Sequence, residues 1–151
     1  MTHIEQIVDI AAPPESVWAV MADVEHWPEW TPSVRSVELQ DGKPFEVGCR
    51  ARIRQPRLAP AIWAVTEIDS NRYFEWQTVG VGVRTVGGHR IDETPSGSRV
   101  TLSIDWSGPI AWLVGLLFGG LTRRYMQVEG QGLKQRCERH EEGVGEGRRV
   151  T

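Results

Sequence analysis

The sequence predicts an α+β fold in which a curved antiparallel sheet of about seven strands lies against one long C-terminal helix. Three observations predict it. Strand-length segments with period-two alternation run from Val34 to Trp106 with no helical pattern between them. The single long helical pattern, Pro109 to about His140, follows all of them. Two short helical segments separate the first strand from the rest, and strands joined by turns pair antiparallel with their helices gathered on one face.

The elements follow in order. Ile4, Gln6, Val8 and Ile10 alternate with Glu5, Ile7 and Asp9, which makes a first strand of His3 to Ile10. Pro13 and Pro14 close it and open a short helix with Val17, Trp18, Val20 and Met21 apolar. Asp23 is placed to cap a second short helix, which Pro28 breaks inside Glu25–Trp30. Val37 and Leu39 alternate with Ser36 and Glu38 before an Asp41-Gly42 turn. Cys49, Ala51 and Ile53 then alternate with Arg50, Arg52 and Arg54, a half-buried strand with one basic face. That face is read as solvated, with Glu67 and Glu75 as its cross-strand ion-pair partners. Pro56 and Pro60 bracket a loop, and Ile62 to Ile68 resumes a strand with Trp63 and Val65 on one side. Phe74 and Trp76 share a face opposite Tyr73, Glu75 and Gln77. A glycine-rich strand runs from Val81 to Asp92; after a Pro95–Ser98 turn, Val100, Leu102, Ile104 and Trp106 alternate with Thr101, Ser103 and Asp105.

In the long helix, Pro109 suits the first turn, where its missing N–H would have no partner. Ile110, Val114, Leu117, Leu121, Tyr125 and Val128 recur at steps of three and four and are expected to line its buried face. The distal half is amphipathic, with Glu129 counted among its polar residues and Leu133 and Cys137 on a narrow apolar stripe. The proximal half is apolar nearly all round. Gly115, Gly119 and Gly120 each cost on the order of 1 kcal/mol relative to Ala; close approach of the backbone to the sheet is the expected return. The glycine-rich, charged end from Glu141 to Thr151 is expected to be a disordered tail behind a single domain of residues 1–140.

Composition excludes several classes. With 17 Lys and Arg against 20 Asp and Glu the net charge is -3, so no global field favours nucleic acid. The N-terminus has neither a basic start nor an apolar run, and two isolated cysteines fit a reducing compartment, so a cytoplasmic location is expected. The apolar run of the last helix is shorter than the roughly 20 residues a membrane span needs. There is no G-x-S-x-G elbow and no zinc-type Cys/His spacing, and Gly80–Gly88 lies within strands instead of leading into a helix as a dinucleotide loop would. No metal and no cofactor are expected.

The chain resembles a known family from Ile4 to Arg139. The residues that carry the likeness are Ile10–Trp18, Asp23–Trp30, Trp63–Glu67, the Gly88–Ile91 strand and the long closing helix. Together they resemble the START-like (SRPBCC) superfamily, and within it the bacterial polyketide cyclase/dehydrase-like proteins. The resemblance implies a helix-grip fold with a deep, mostly apolar cavity between sheet and helix, usually for a lipid, sterol or polyketide-like molecule. The superfamily mixes carriers, receptors and enzymes, so its fold does not carry a function.

The expected ligand-facing residues are Trp30, Phe74, Trp76, His89, Trp106, Leu117, Leu121 and Tyr125. Phe74, Trp76 and Trp106 lie on the apolar sides of their strands, where core packing and cavity lining are both open readings, although each indole N–H needs a partner. His89 shares strand parity with Gly87 and Ile91 and so faces inward. It is the expected polar contact and the candidate acid–base residue, but strand parity places no inward carboxylate beside it. Tyr125 offers either a packed ring or a hydroxyl. Trp27 and Trp30 are read first as wedges of the short helices and second as a cavity lid, and Trp18 as core. Trp112, Leu116 and Phe118 lie off the main stripe and are read as a homodimer contact or an entrance gate. Three functions follow: a carrier or sensor of a small hydrophobic molecule, a cyclase/dehydrase-type enzyme using His89, and a protein-interaction module.

Overall fold

A computed structural model describes residues 2–149, with side chains through residue 142. Strand β1 (Thr2–Ile10) leads into helix α1 (Pro14–Met21) and a 3-10 turn (Val24–Glu29), followed by β2 (Ser36–Leu39), β3 (Arg50–Arg54), β4 (Ala61–Asp69), β5 (Tyr73–Gly80), β6 (Val83–Thr94), β7 (Gly97–Ser107) and helix α2 (Ala111–Arg149). The tail expected from residue 141 lies, beyond Glu142, outside the residues whose side chains are described.

All seven strands form one antiparallel sheet in the order β1-β7-β6-β5-β4-β3-β2. The expected α+β fold, a sheet curved about one long helix, is the fold observed. Strand parity reads correctly throughout the centre of the sheet: Phe74, Trp76, His89, Ile91, Val100, Leu102 and Trp106 are all buried. Helix α1 and the 3-10 turn close one end, held by the Trp27 indole, which donates to the Met21 carbonyl at 2.9 Å. Asp23 precedes the 3-10 turn without capping it by its side chain, which instead meets His26 Nδ1 at 2.7 Å.

Four expectations are corrected. The helix begins at Ala111, and Pro109 lies in the preceding turn. Up to Met126 its buried face is rotated one position from the expected stripe, with Ala111 and Met126 buried and Leu117 65% exposed, whereas Leu133 and Cys137 are buried as expected. The proximal half is apolar on every side, so 3.6-residue periodicity has several solutions there; only packing selects one. The basic face of β3 does not pair with Glu67 and Glu75. Those two carboxylates lie directly opposite each other across β4 and β5, and burial, then Glu67, raises the Glu75 carboxyl above its usual range. Arg50 pairs instead with Asp41 at 2.9 Å.

The fourth correction concerns the helix glycines. Gly115 does approach the sheet, where an added Cβ would stand 3.1 Å from Thr2, but Gly119 and Gly120 have open space around the same position. The tightest approach is at Gly132, where a Cβ would run into the carbonyl oxygen of Trp30. Two opposing terms decide the outcome of substitution. Ala gains about 1 kcal/mol of helix propensity over Gly, whereas forcing atoms into a packed contact costs about 1–3 kcal/mol. We expect Gly120→Ala to stabilise the protein by about 0.5–1 kcal/mol and Gly132→Ala to destabilise it by about 1–2 kcal/mol in urea denaturation. Equal shifts of the same sign would show that Gly132 is not a packing contact.

Candidate functional site

The register of the sheet builds the centre of the site. Across β5 and β6, Phe74 lies opposite His89 and Trp76 opposite Gly87; across β6 and β7, His89 lies opposite Leu102. Gly87 leaves room that Trp76 fills, since a Cβ there would stand 3.1 Å from the indole. Phe74 stacks flat on His89, with centroids 4.0 Å apart and planes 7° from parallel. Trp27 at 5.5 Å and an edge-on Trp76 at 5.7 Å complete an aromatic surround.

The missing carboxylate comes from the helix. Glu129 Oε1 lies 3.5 Å from His89 Nε2, with the two side chains 16% and 7% exposed. Strand parity, which places no carboxylate beside His89, could not have shown it. Parity considers only strands, whereas Met126, Glu129 and Leu133 at steps of three and four place Glu129 on the inner side of α2. Nδ1 of His89 is buried with no hydrogen-bond partner. Nε2 is thus the ring nitrogen that faces Glu129, and Nδ1 is the one turned away from it. At 3.5 Å the pair is longer than a good hydrogen bond, a spacing that a bound molecule can tighten.

Two adjoining chambers open on this pair. The inner one, about 70 Å³, is lined by Trp27, Val34, Trp63, Trp76, His89 and Glu129 among others. The outer one, about 250 Å³, lies between Leu58, Trp63, Trp106, Val114, Phe118 and Met126. Gln55, Trp63, Ile104, Met126 and Glu129 line both. Their combined size falls near the lower end of the roughly 300–1,000 Å³ common for small-molecule sites. The space suits a compact ligand better than a full-length lipid.

The expected site residues are distributed unevenly. His89 and Trp76 line the inner chamber and Trp106 the outer one. Phe74 lines neither and supports His89 from behind. Tyr125 borders the outer chamber, but its hydroxyl donates to the Pro56 carbonyl, which ties the β3–β4 loop to α2. Leu121 lies beyond it in a separate groove with Pro32, Pro56 and Arg57. Trp30 belongs to a surface groove with His26 and Arg136, away from His89, and Leu117 faces outward. Sequence reasoning missed Glu129 and Gln55; Trp27, read first as a wedge and second as a lid, lines the inner chamber. Gln55 continues the inward parity of Ala51 and Ile53, a signal that was present. Both cysteines are free and buried, and burial pushes the Cys137 thiol up to about 12, so neither is a nucleophile for this site. Among the described residues no group of three or more His, Cys, Asp or Glu is placed to hold a metal.

A seven-stranded sheet gripping one helix, with a small internal site between them, defines a protein of the START-like helix-grip class. The chain belongs to the family described as polyketide cyclase/dehydrase and lipid transport, whose model matches residues 1–138. Solved structures share the fold at low identity. The Zhui aromatase/cyclase from Streptomyces sp. R1128 is 18% identical with a TM-score of 0.74, covering 91% of this chain and 94% of that one. Norcoclaurine synthase from Thalictrum flavum, in complex with dopamine and hydroxybenzaldehyde, is 15% identical with a TM-score of 0.73, covering 92% and 87%. A START superfamily protein from Mycobacterium smegmatis is 18% identical with a TM-score of 0.67, covering 91% and 97%. No curated protein sequence matches the chain. At these identities the solved structures establish the fold, which suits hydrophobic ligand binding, and leave chemistry to the site.

The Tyr125–Pro56 hydrogen bond gives this site a measurable wall. Tyr125→Phe should cost about 1 kcal/mol and speed hydrogen exchange at the Leu58 amide, which donates within the same loop to the Gln55 carbonyl at 3.3 Å. Unchanged exchange at Leu58 would show that the loop is held by other contacts.

Proposed function

We propose that the protein binds a compact hydrophobic molecule, as carrier or sensor, with its apolar body in the outer chamber and a polar end beside His89 and Glu129. One observation carries this reading: a nearly buried polar pair stands at the closed end of a space otherwise walled by Trp63, Trp76, Trp106, Phe118 and Met126. Apolar walls with a few convergent polar groups are the general composition of a small-molecule site. The chambers also favour a flat ring system over a long acyl chain.

β-Naphthol, a bicyclic phenol, and oleate make the test. Titration of tryptophan fluorescence should show saturable quenching by β-naphthol and weaker binding of oleate. Met126→Trp, which fills the wall shared by both chambers, should weaken β-naphthol at least about tenfold, a loss of about 1.4 kcal/mol. If neither compound binds and native mass spectrometry of the freshly purified protein finds no retained small molecule, the reading fails.

A second reading, a cyclase/dehydrase-type enzyme, is supported specifically by Glu129. An imidazole oriented by a carboxylate can take up and return a proton while the chamber walls hold a flexible substrate folded. On an aromatic-precursor polyketide, Glu129→Gln should lower turnover by about 10²–10⁴-fold, a far larger loss than its effect on β-naphthol affinity. Turnover unaffected by that substitution would remove the pair from any chemistry.

A further inference from the structure

Among the described residues, seven of the ten large exposed apolar side chains, all but Ile7, Val47 and Ile62, belong to the β5–β6 hairpin end and the start of α2. Val81 at the tip of the β5–β6 hairpin is 96% exposed, and Val79 beside it 68%. On the first turns of α2, Trp112 is 66% and Leu116 74% exposed. The two groups are neighbours: the Ile110 N–H donates to the Gly82 carbonyl at 3.2 Å, and the Ile110 side chain packs over Gly82. A contiguous apolar end of this kind marks contact with something.

Charge identifies the partner. No Asp or Glu occurs between Trp76 and Ile91 or between Trp106 and Glu129, although the chain as a whole is acidic at -3. Arg84 beside the hairpin tip, and Arg123 and Arg124 less than two turns beyond Phe118, are all exposed. Among the described residues none of the three forms an ion pair, unlike Arg50, Arg99 and Arg136. Protruding Val, Leu and Trp ringed by unpaired arginines suit the interface of an anionic lipid bilayer, where indoles settle at headgroup depth and each arginine near the surface adds about fivefold in affinity. A second copy of the chain fits less well, because an isologous contact would set the same arginines against each other. No helix among the described residues is long and apolar enough to cross a membrane, so the contact is one of lying on the surface.

We propose that this end, formed by the β5–β6 hairpin tip and the start of α2, docks on anionic membrane surfaces. It lies at the outer chamber, since Phe118 on the next turn lines that space. Docking would therefore set the chamber against the lipid from which a hydrophobic ligand is drawn. The surface stands on side chains other than those of the ligand reading, and the two can fail separately.

The test is co-sedimentation with phosphatidylcholine vesicles containing phosphatidylglycerol, beside pure phosphatidylcholine vesicles and sedimentation velocity of the protein alone. The protein should bind the anionic vesicles, more weakly at raised salt and more weakly still to the neutral ones. Arg123→Gln with Arg124→Gln should reduce binding about 25-fold, and Trp112→Glu with Leu116→Glu should abolish it. Both variants should keep the wild-type melting temperature and β-naphthol affinity, because the altered side chains are exposed. Absence of binding to anionic vesicles, binding indifferent to both variants, or a concentration-dependent dimer lost in the Trp112→Glu/Leu116→Glu variant would overturn the proposal.

Discussion

The rotational setting of α2 is the constraint on which the rest depends. It is established where the helix backbone comes nearest its neighbours: Gly132 against the Trp30 carbonyl, and Gly115 against Thr2 of β1. With these two points in contact, Leu133 and Cys137 are buried and Met126 points into the space beneath the sheet. The same setting carries Glu129 to His89 and turns Leu117 out to solvent. A helix has one rotational degree of freedom against a sheet, so a few close contacts determine the direction of every side chain along it.

The chemistry of the cavity follows from that setting together with the sheet register. Stacking on Phe74 and edge contact with Trp76 hold the imidazole in place, and the Glu129 carboxylate beside it comes from a different layer of the structure. A carboxylate this far inside is costly unless partnered. In the function we propose, Trp63, Met126 and Trp106 would select for size and His89 and Glu129 would orient the polar end of the ligand.

The outer end of the molecule shows a different balance. Its hairpin tip and the first turns of α2 leave large apolar groups in water without partners, and the glycines at 119 and 120 have open space around them. Apolar surface left uncovered by an otherwise well-packed fold is retained where something else covers it. The sheet's polar outer face behaves as surfaces usually do: Asp9 with Arg99 at 2.9 Å is an exposed pair of small energetic weight.

By itself the sequence determined the class of fold, the number and pairing sense of the strands, and the inward direction of Phe74, Trp76, His89, Leu102 and Trp106. Strand side chains alternate with a period of two, so one hydrophobic set identifies a face, and short turns force antiparallel neighbours. Only the tertiary structure decided which face of α2 is buried and hence that Glu129 meets His89, that Trp27 and Gln55 border the cavity, and that Trp30, Leu117 and Leu121 stand apart from it. An all-round apolar helix satisfies its period in several orientations, and a broken 3-10 segment has no period to read; in both, contacts distant in sequence choose the direction.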